Sequence, residues 1–213
     1  VRTRIKICGI TSVEDALGAA AAGADAIGLI CYPPSPRFVP PEHASEIVRA
    51  LPAFVAKVAV FVDPTRDEVA RLLDAAPIDY LQFHGDEPGA FCASFGRAYL
   101  KAARVRPDLD LIEYLEPYAA AAAWLLDTYR ADQHGGIGAS FDWDLIPARL
   151  ARPVVLSGGL DATNVGAAIR RIRPWAVDVS SGVEAEERGR ARKGVKDMAK
   201  IERFVAEVRN ADV

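Results

Sequence analysis

The 213 residues carry 26 Lys and Arg against 29 Asp and Glu, a net charge of −3, and are 51% hydrophobic. That balance excludes a strongly basic nucleic-acid binder and a disordered charged tail, and it leaves enough apolar material for a sizeable core. No apolar run reaches the roughly 18 residues that a membrane span needs, because Ala119–Ala123 passes directly into Trp124-Leu125-Leu126-Asp127, which reads as a buried strand. Cys8, Cys31 and Cys92 are too few and too far apart for a disulfide framework or a close-spaced metal site, which points to a reducing cytoplasm. The first apolar residues alternate with charges, unlike a signal peptide.

One unit recurs along the chain: a short apolar strand, a turn, then an amphipathic helix. Predicted strands are Arg4–Cys8, Ala26–Ile30, Val55–Phe61, Tyr80–Phe83, Ala98–Ala102, Ala123–Asp127, Val154–Leu156 and Ala176–Val179. Between them, Val13–Ala22 follows the N-cap candidate Ser12, and Pro41–Leu51 opens on a proline. Thr65–Ala75 starts with a Thr-x-x-Glu capping box, Thr65 to Glu68. Leu109–Leu115 reads as a short helix, and Ala162–Arg171 and Val195–Val208 as longer ones. Eight strands alternating with helices predict an α/β fold with a parallel sheet, either a doubly wound open sheet or a closed (β/α)8 TIM barrel forming a single domain over residues 1–213.

Polar residues separate the two architectures. The predicted strands end in Cys8-Gly9, Gln82-Phe83-His84-Gly85-Asp86, Asp127, Ser157-Gly158-Gly159 and Asp178-Val179-Ser180-Ser181-Gly182, while the second runs into Ser35-Pro36-Arg37. An open sheet gathers its ligand near one switch point; a barrel builds its site from the carboxyl ends of many strands. The distribution favours the barrel. Loops after strands seven and eight of barrels often hold phosphate. Gly158, Gly159, Ser180, Ser181 and Gly182 occupy those loops, and Gly136 and Gly138 lie in a third glycine-rich stretch after strand six. Glycine lets backbone N–H groups approach an anion, although any one of these glycines alone is as well explained by a tight turn.

Single residues remain ambiguous. Cys8 is a candidate general base, but a strand-end cysteine also packs as a small hydrophobe. Asp127 ends an apolar run, which suits a general acid kept protonated by apolar surroundings or merely a turn residue. Arg37 could grip a carboxylate bidentately or lie in solvent. Lys6 shares a face with Cys8, as Asp178 does with Ser180. In a closed barrel the first and last strands are neighbours, so Lys6 and Asp178 are predicted to pair inside it.

These residues together resemble the phosphoribosylanthranilate isomerase family. Lys6-Ile7-Cys8-Gly9-Ile10-Thr11 is similar to its N-terminal signature, and Gly23–Gly28 with Tyr32-Pro33 and Ser35–Val39 to its second-strand block. Leu81–Glu87, Leu125–Asp127, Gly135-Gly136 with Gly138, Phe141-Asp142-Trp143, Ser157–Leu160 and Asp178–Glu184 follow in order. The resemblance spans nearly the whole chain and implies a cofactor-free, metal-free isomerase of tryptophan biosynthesis. Its reaction is the Amadori rearrangement of N-(5-phosphoribosyl)anthranilate to 1-(2-carboxyphenylamino)-1-deoxyribulose 5-phosphate. It implies Cys8 as general base, Asp127 as general acid and Arg37 on the anthranilate carboxylate. Gln82, His84 and Asp178 become substrate-binding candidates and the glycine and serine loops the phosphate site. The expected partner is a small molecule, without nucleic acid or membrane, and the chain a monomer or homodimer. Two departures stand out. Ile137 replaces a hydroxyl residue between glycines, and Cys31 with Pro34 replace an aromatic residue and often a lysine. Rival readings are another phosphosugar barrel, whose lysine–glutamate set is not found at these strand ends, or a non-catalytic phosphate-binding barrel.

Overall fold

The computed structural model describes residues 2–127, 143–147, 149–187 and 189–212. Eight parallel strands close into a barrel in sequence order: β1 (Arg4–Cys8), β2 (Ala26–Ile30), β3 (Ala56–Phe61), β4 (Tyr80–Phe83), β5 (Ala98–Arg104), β6 (Ala123–Asp127), β7 (Val154–Ser157) and β8 (Ala176–Val179). The seam pairs β1 with β8, and its register sets Lys6 beside Asp178. Closure rules out the open sheet and leaves the barrel without edges.

Alternation along each strand creates two apolar compartments. Ile5, Ile7, Ile27, Leu29, Phe61, Phe83 and Leu126 point outward and pack under the helices in one large core. Val58, Leu100, Ala102, Ala123, Leu125, Val155 and Ala176 form a second, smaller cluster inside the barrel. Lys6, Gln82 and Asp178, all buried, share the strand parity of that inner cluster. The lumen therefore grades from small apolar residues at the amino ends of the strands to polar ones at the carboxyl ends. At the amino end it opens into a cavity of about 270 Å³ lined by Ala26, Ala56, Tyr80, Leu100, Ala123 and Ala176 among others.

The helices follow their local signals. In α1 (Val13–Ala22) the Ser12 hydroxyl accepts from the Asp15 N–H, and Gly23 ends the helix in the left-handed region. Proline opens α2 (Pro41–Ala50). The capping box of α3 (Arg66–Ala75) is complete, with Thr65 and Glu68 bonded reciprocally. Asp110 caps α5 (Leu111–Leu115). The short α4 (Gly89–Cys92) escapes sequence reading because four residues carry no periodicity.

The largest shifts from the sequence reading are at two helix starts. The helix expected over Ala162–Arg171 is α6 (Val165–Ile172), because Asp161 and Asn164 use their side chains to close a turn first. The expected Val195–Val208 helix is α7 (Met198–Ala211), capped by Asp197. Its first predicted residues belong to an antiparallel hairpin, β9 (Glu184–Glu187) and β10 (Arg190–Lys196). That hairpin is absent from the sequence reading because its charged residues have no apolar alternation; ion pairs and backbone bonding hold it instead.

Candidate active site

The polar end of the lumen is built from strand ends. Lys6 donates to Asp178 Oδ1 at 2.8 Å, and the two side chains are only 5% and 6% exposed. The predicted seam pair is therefore present. Ser157 donates to the other carboxylate oxygen of Asp178 at 3.2 Å, so β7, β8 and β1 are tied together at one level. Burial lowers the proton affinity of the Lys6 amine, but Asp178 and Cys8 outweigh it and hold Lys6 cationic. Cys8 sits one pleat above Lys6 on the same face. Opposite it, the register places Gly28 of β2. A Cβ at Gly28 would lie 2.8 Å from Cys8 Sγ and 2.9 Å from Lys6 Nζ, so a glycine is needed there for thiol and ammonium to meet. Burial pushes the Cys8 thiol up, against the pull of Lys6.

Across the barrel, β6 ends on Asp127. Its Oδ2 lies 3.1 Å from His84 Nε2, and both side chains remain about one-fifth exposed, at 19% and 21%. The expected apolar surrounding is thus partly polar: His84 shares a hydrogen bond with Asp127. Gln82 Nε2 approaches His84 Nδ1 at 3.3 Å. A buried ion pair supports this edge from below. Lys101 donates to Glu87 at 2.8 Å and to the Gly85 carbonyl at 2.5 Å, while Glu87 accepts from the Gly85 and Asp63 N–H groups. That network fixes the backbone immediately after His84.

Arg37 is not a solvated surface residue. Its Nε and Nη2 donate to Glu184 at 2.5 and 2.8 Å, and Glu184 also accepts from the Gly194 N–H at 2.8 Å. Lys196 Nζ lies 3.7 Å from Glu184 Oε1, and both side chains are fully buried; the same amine donates to the Ser180 carbonyl at 3.0 Å. The hairpin thus folds back to hold the Arg37 loop and the end of β8. From sequence, Glu184 has a place in the Asp178–Glu184 motif but no role of its own, and Lys196 carries no signal. The signal available was a glutamate closing a Ser-Ser-Gly-Val turn, too common to single out.

In the loop after β7, Gly158 and Gly159 have φ of 93° and 63°, a tandem left-handed pair that side chains disfavour. Gly182 packs its α-carbon against the Leu160 carbonyl, which brings the loop after β8 against the loop after β7. Ser181 opens a single 3₁₀ turn there. The Ser180 hydroxyl and the Gln82 carboxamide oxygen are buried and have no hydrogen-bond partner among the described residues. Gly136, Gly138 and Ile137 lie outside the described residues.

Comparison with known proteins places this geometry. The profile of the family described as N-(5'phosphoribosyl)anthranilate (PRA) isomerase matches residues 5–207. A protein of Dechloromonas aromatica called N-(5'-phosphoribosyl)anthranilate isomerase is 54% identical over 212 residues, covering 100% of this chain and 99% of its own. Crystallised monomers of the dimeric enzyme of Thermotoga maritima are 38% identical, with a TM-score of 0.83 and coverage of 98% and 99%. A crystal structure of the isomerase in complex with reduced 1-(o-carboxyphenylamino)-1-deoxyribulose 5-phosphate is 36% identical, with a TM-score of 0.81 and coverage of 98% and 99%. Closed barrel, strand-end site and sequence therefore agree, and the chain belongs to the N-(5'-phosphoribosyl)anthranilate isomerase family.

Proposed function

We propose that this chain catalyses the Amadori rearrangement of N-(5'-phosphoribosyl)anthranilate to 1-(2-carboxyphenylamino)-1-deoxyribulose 5-phosphate, acting as one cytoplasmic catalytic domain in tryptophan biosynthesis. The observation that carries the reading is the disposition of Cys8 and Asp127, at the ends of opposed strands on the lumen face. In this reading Asp127 delivers a proton to the furanose oxygen, with His84 steering the carboxyl. The ring opens to a Schiff base. The Cys8 thiolate then takes the proton from sugar C2; C1 is protonated as the C2 hydroxyl becomes the ketone. No hydride leaves the substrate, so the step calls for an acid and a base.

The substrate carries phosphate and carboxylate while the protein has a net charge of −3, so local donors must supply the attraction. The phosphate is assigned to the backbone N–H groups of Gly158, Gly159 and Gly182 with the hydroxyls of Ser180 and Ser181, and to Gly136 and Gly138. The unsatisfied Ser180 hydroxyl supports that assignment. Arg37 is assigned to the anthranilate carboxylate, and Gln82, His84 and Asp178 to the sugar hydroxyls. Consumption of freshly generated phosphoribosylanthranilate, followed by its fluorescence, tests the activity; a rate no higher than the uncatalysed background rejects it.

Assembly as a homodimer is the second part of this reading. Phe54 stands fully in solvent, at 103% of its reference area, with a left-handed φ of 69°. It lies at the same barrel end as the 270 Å³ apolar cavity, with Ala56 and Tyr80 bordering both. An exposed ring and a cavity on one face are self-complementary under a two-fold axis, and an apolar cavity of about 150 Å³ already holds a benzene ring.

A further inference from the structure

The mechanism above uses Cys8, gives its neighbour Asp178 only a contact with the sugar, and leaves Lys6 without a role. Cys8 is buried, and a buried thiolate is costly unless a cation faces it. The groups facing it are Lys6 on its own strand, Asp178 on β8, Lys196 on β10, and Cys31 just beyond β2. Arg37 and Glu184 stand behind Gly9, engaged with each other. Lys6 Nζ and Cys8 Sγ both press into the position that a Cβ at Gly28 would occupy, 2.9 and 2.8 Å from it. Asp178 grips Lys6 at 2.8 Å and is itself held by Ser157. The ammonium is therefore fixed against the thiol by a carboxylate that is fixed in turn.

We propose that Lys6 is a positioning residue for the base: its ammonium is the counter-ion of the Cys8 thiolate, and Asp178 sets how much of its charge the thiolate receives. The proposal rests on Cys8 being the base. When Cys8 takes the C2 proton, the negative charge leaves the sulfur and Lys6 turns fully to Asp178; when the proton departs, Lys6 shares itself again. The pair acts as an adjustable electrostatic partner whose own protonation does not change. Gly28 supplies the space and the barrel seam supplies the alignment.

The two neighbours have opposite signs, which separates this role from a structural one. In a Cys31→Ala/Cys92→Ala background, the Cys8 thiolate is titrated by ultraviolet absorbance as the difference from the same protein carrying Cys8→Ala. Lys6→Met should move the titration to higher pH by about one to three pH units, Lys6→Arg should restore most of it, and Asp178→Asn should move it to lower pH. The acidic limb of kcat should follow in the same directions; in Lys6→Met KM should change less than kcat, whereas in Asp178→Asn KM should rise as well, because Asp178 is also assigned to the sugar hydroxyls. Movement of Lys6→Met and Asp178→Asn in the same direction, or no movement in Lys6→Met, overturns the proposal. Should Lys6→Met not fold, Lys6→Arg and Asp178→Asn decide: an Asp178→Asn titration at or above that of the parent overturns it. Near-normal turnover of Cys8→Ala would instead overturn Cys8 as the base and leave the titration results standing.

Discussion

Glu184 offers the sharpest test of how the hairpin serves the site. Its carboxylate receives two hydrogen bonds from Arg37 and one from the Gly194 N–H, with Lys196 at 3.7 Å. Glu184→Ala removes the shared acceptor and leaves the buried Lys196 ammonium facing Arg37 without the intervening charge. Deleting one partner of a buried ion pair costs about 3–5 kcal/mol. For a chain of this size that is a fall in Tm of about 6–20 °C. Glu184→Gln keeps the shape and one acceptor oxygen, so it should lose less. Burial raises the Glu184 carboxyl, but Arg37, the Gly194 N–H and Lys196 together outweigh it and leave it below its ordinary value. A depressed carboxyl contributes stability that is complete above its unfolded value, about 4.3, and is lost as pH falls through the folded value. The difference in stability between parent and Glu184→Gln should therefore be constant near neutrality and shrink on the acid side of that value. Because Arg37 loses its anchor, KM should rise in both variants more than kcat falls. Thermal unfolding by circular dichroism across pH, with steady-state kinetics, gives all these quantities. A Glu184→Ala protein within about 1 kcal/mol of the parent and with unchanged KM would refute the account of the hairpin as a brace.

The other expectations concern the remaining groups. Cys8→Ala and Asp127→Asn should each lower kcat by at least about 10²-fold, the scale of general acid–base catalysis, with substrate binding retained; near-parent turnover removes the residue from its role. Arg37→Ala should raise KM well beyond its effect on kcat, and an unchanged KM separates Arg37 from the carboxylate. Lys101→Met strands the buried Glu87 carboxylate and should destabilise by about 3–5 kcal/mol, read from denaturant unfolding; a cost below about 1 kcal/mol would mean the loop after β4 holds without the pair. Phe54→Glu should shift the sedimentation of the protein from dimer to monomer with kcat little changed. A parent protein that sediments as a monomer at micromolar concentration overturns the dimer reading.

Where the chain repeats a strong physical pattern, sequence sufficed. The strands show as short apolar runs bounded by turns, and five of the eight have the bounds read from sequence: Arg4–Cys8, Ala26–Ile30, Tyr80–Phe83, Ala123–Asp127 and Ala176–Val179. The Lys6–Asp178 pair was deducible because closure makes the first and last strands neighbours, and parity then fixes which side chains face inward. Charge-driven structure was not legible. The hairpin from Glu184 to Lys196 reads as solvated surface, because nothing local says that Glu184 will meet Arg37, 147 residues earlier in the chain. The His84–Asp127 contact was equally hidden: each residue was a candidate alone, but their meeting depends on strands β4 and β6 tilting toward one axis. Gly28 shows the same limit, since a strand glycine reveals its purpose only when a thiol and an ammonium occupy the space it leaves.

The barrel seam joins stability to chemistry at one place. Lys6 and Asp178 are far apart in the chain and adjacent only once β8 pairs with β1. Before closure, each would be a charge in water at little cost; after closure, each is buried and needs the other. Cys8 lies one pleat farther along the same strand, so the thiol acquires its cationic neighbour through the same event. Asp127 gains its opposition to Cys8 in the same way, because strands one and six face each other only around a closed ring. A partly open barrel would hold unpaired charges and a thiol without its ammonium, and so would be both less stable and inactive. Destabilising the seam from the outer core, for example by Val177→Ala beneath the helices, should therefore reduce the active fraction in step with the folded fraction, while the turnover of the molecules that remain closed stays that of the parent.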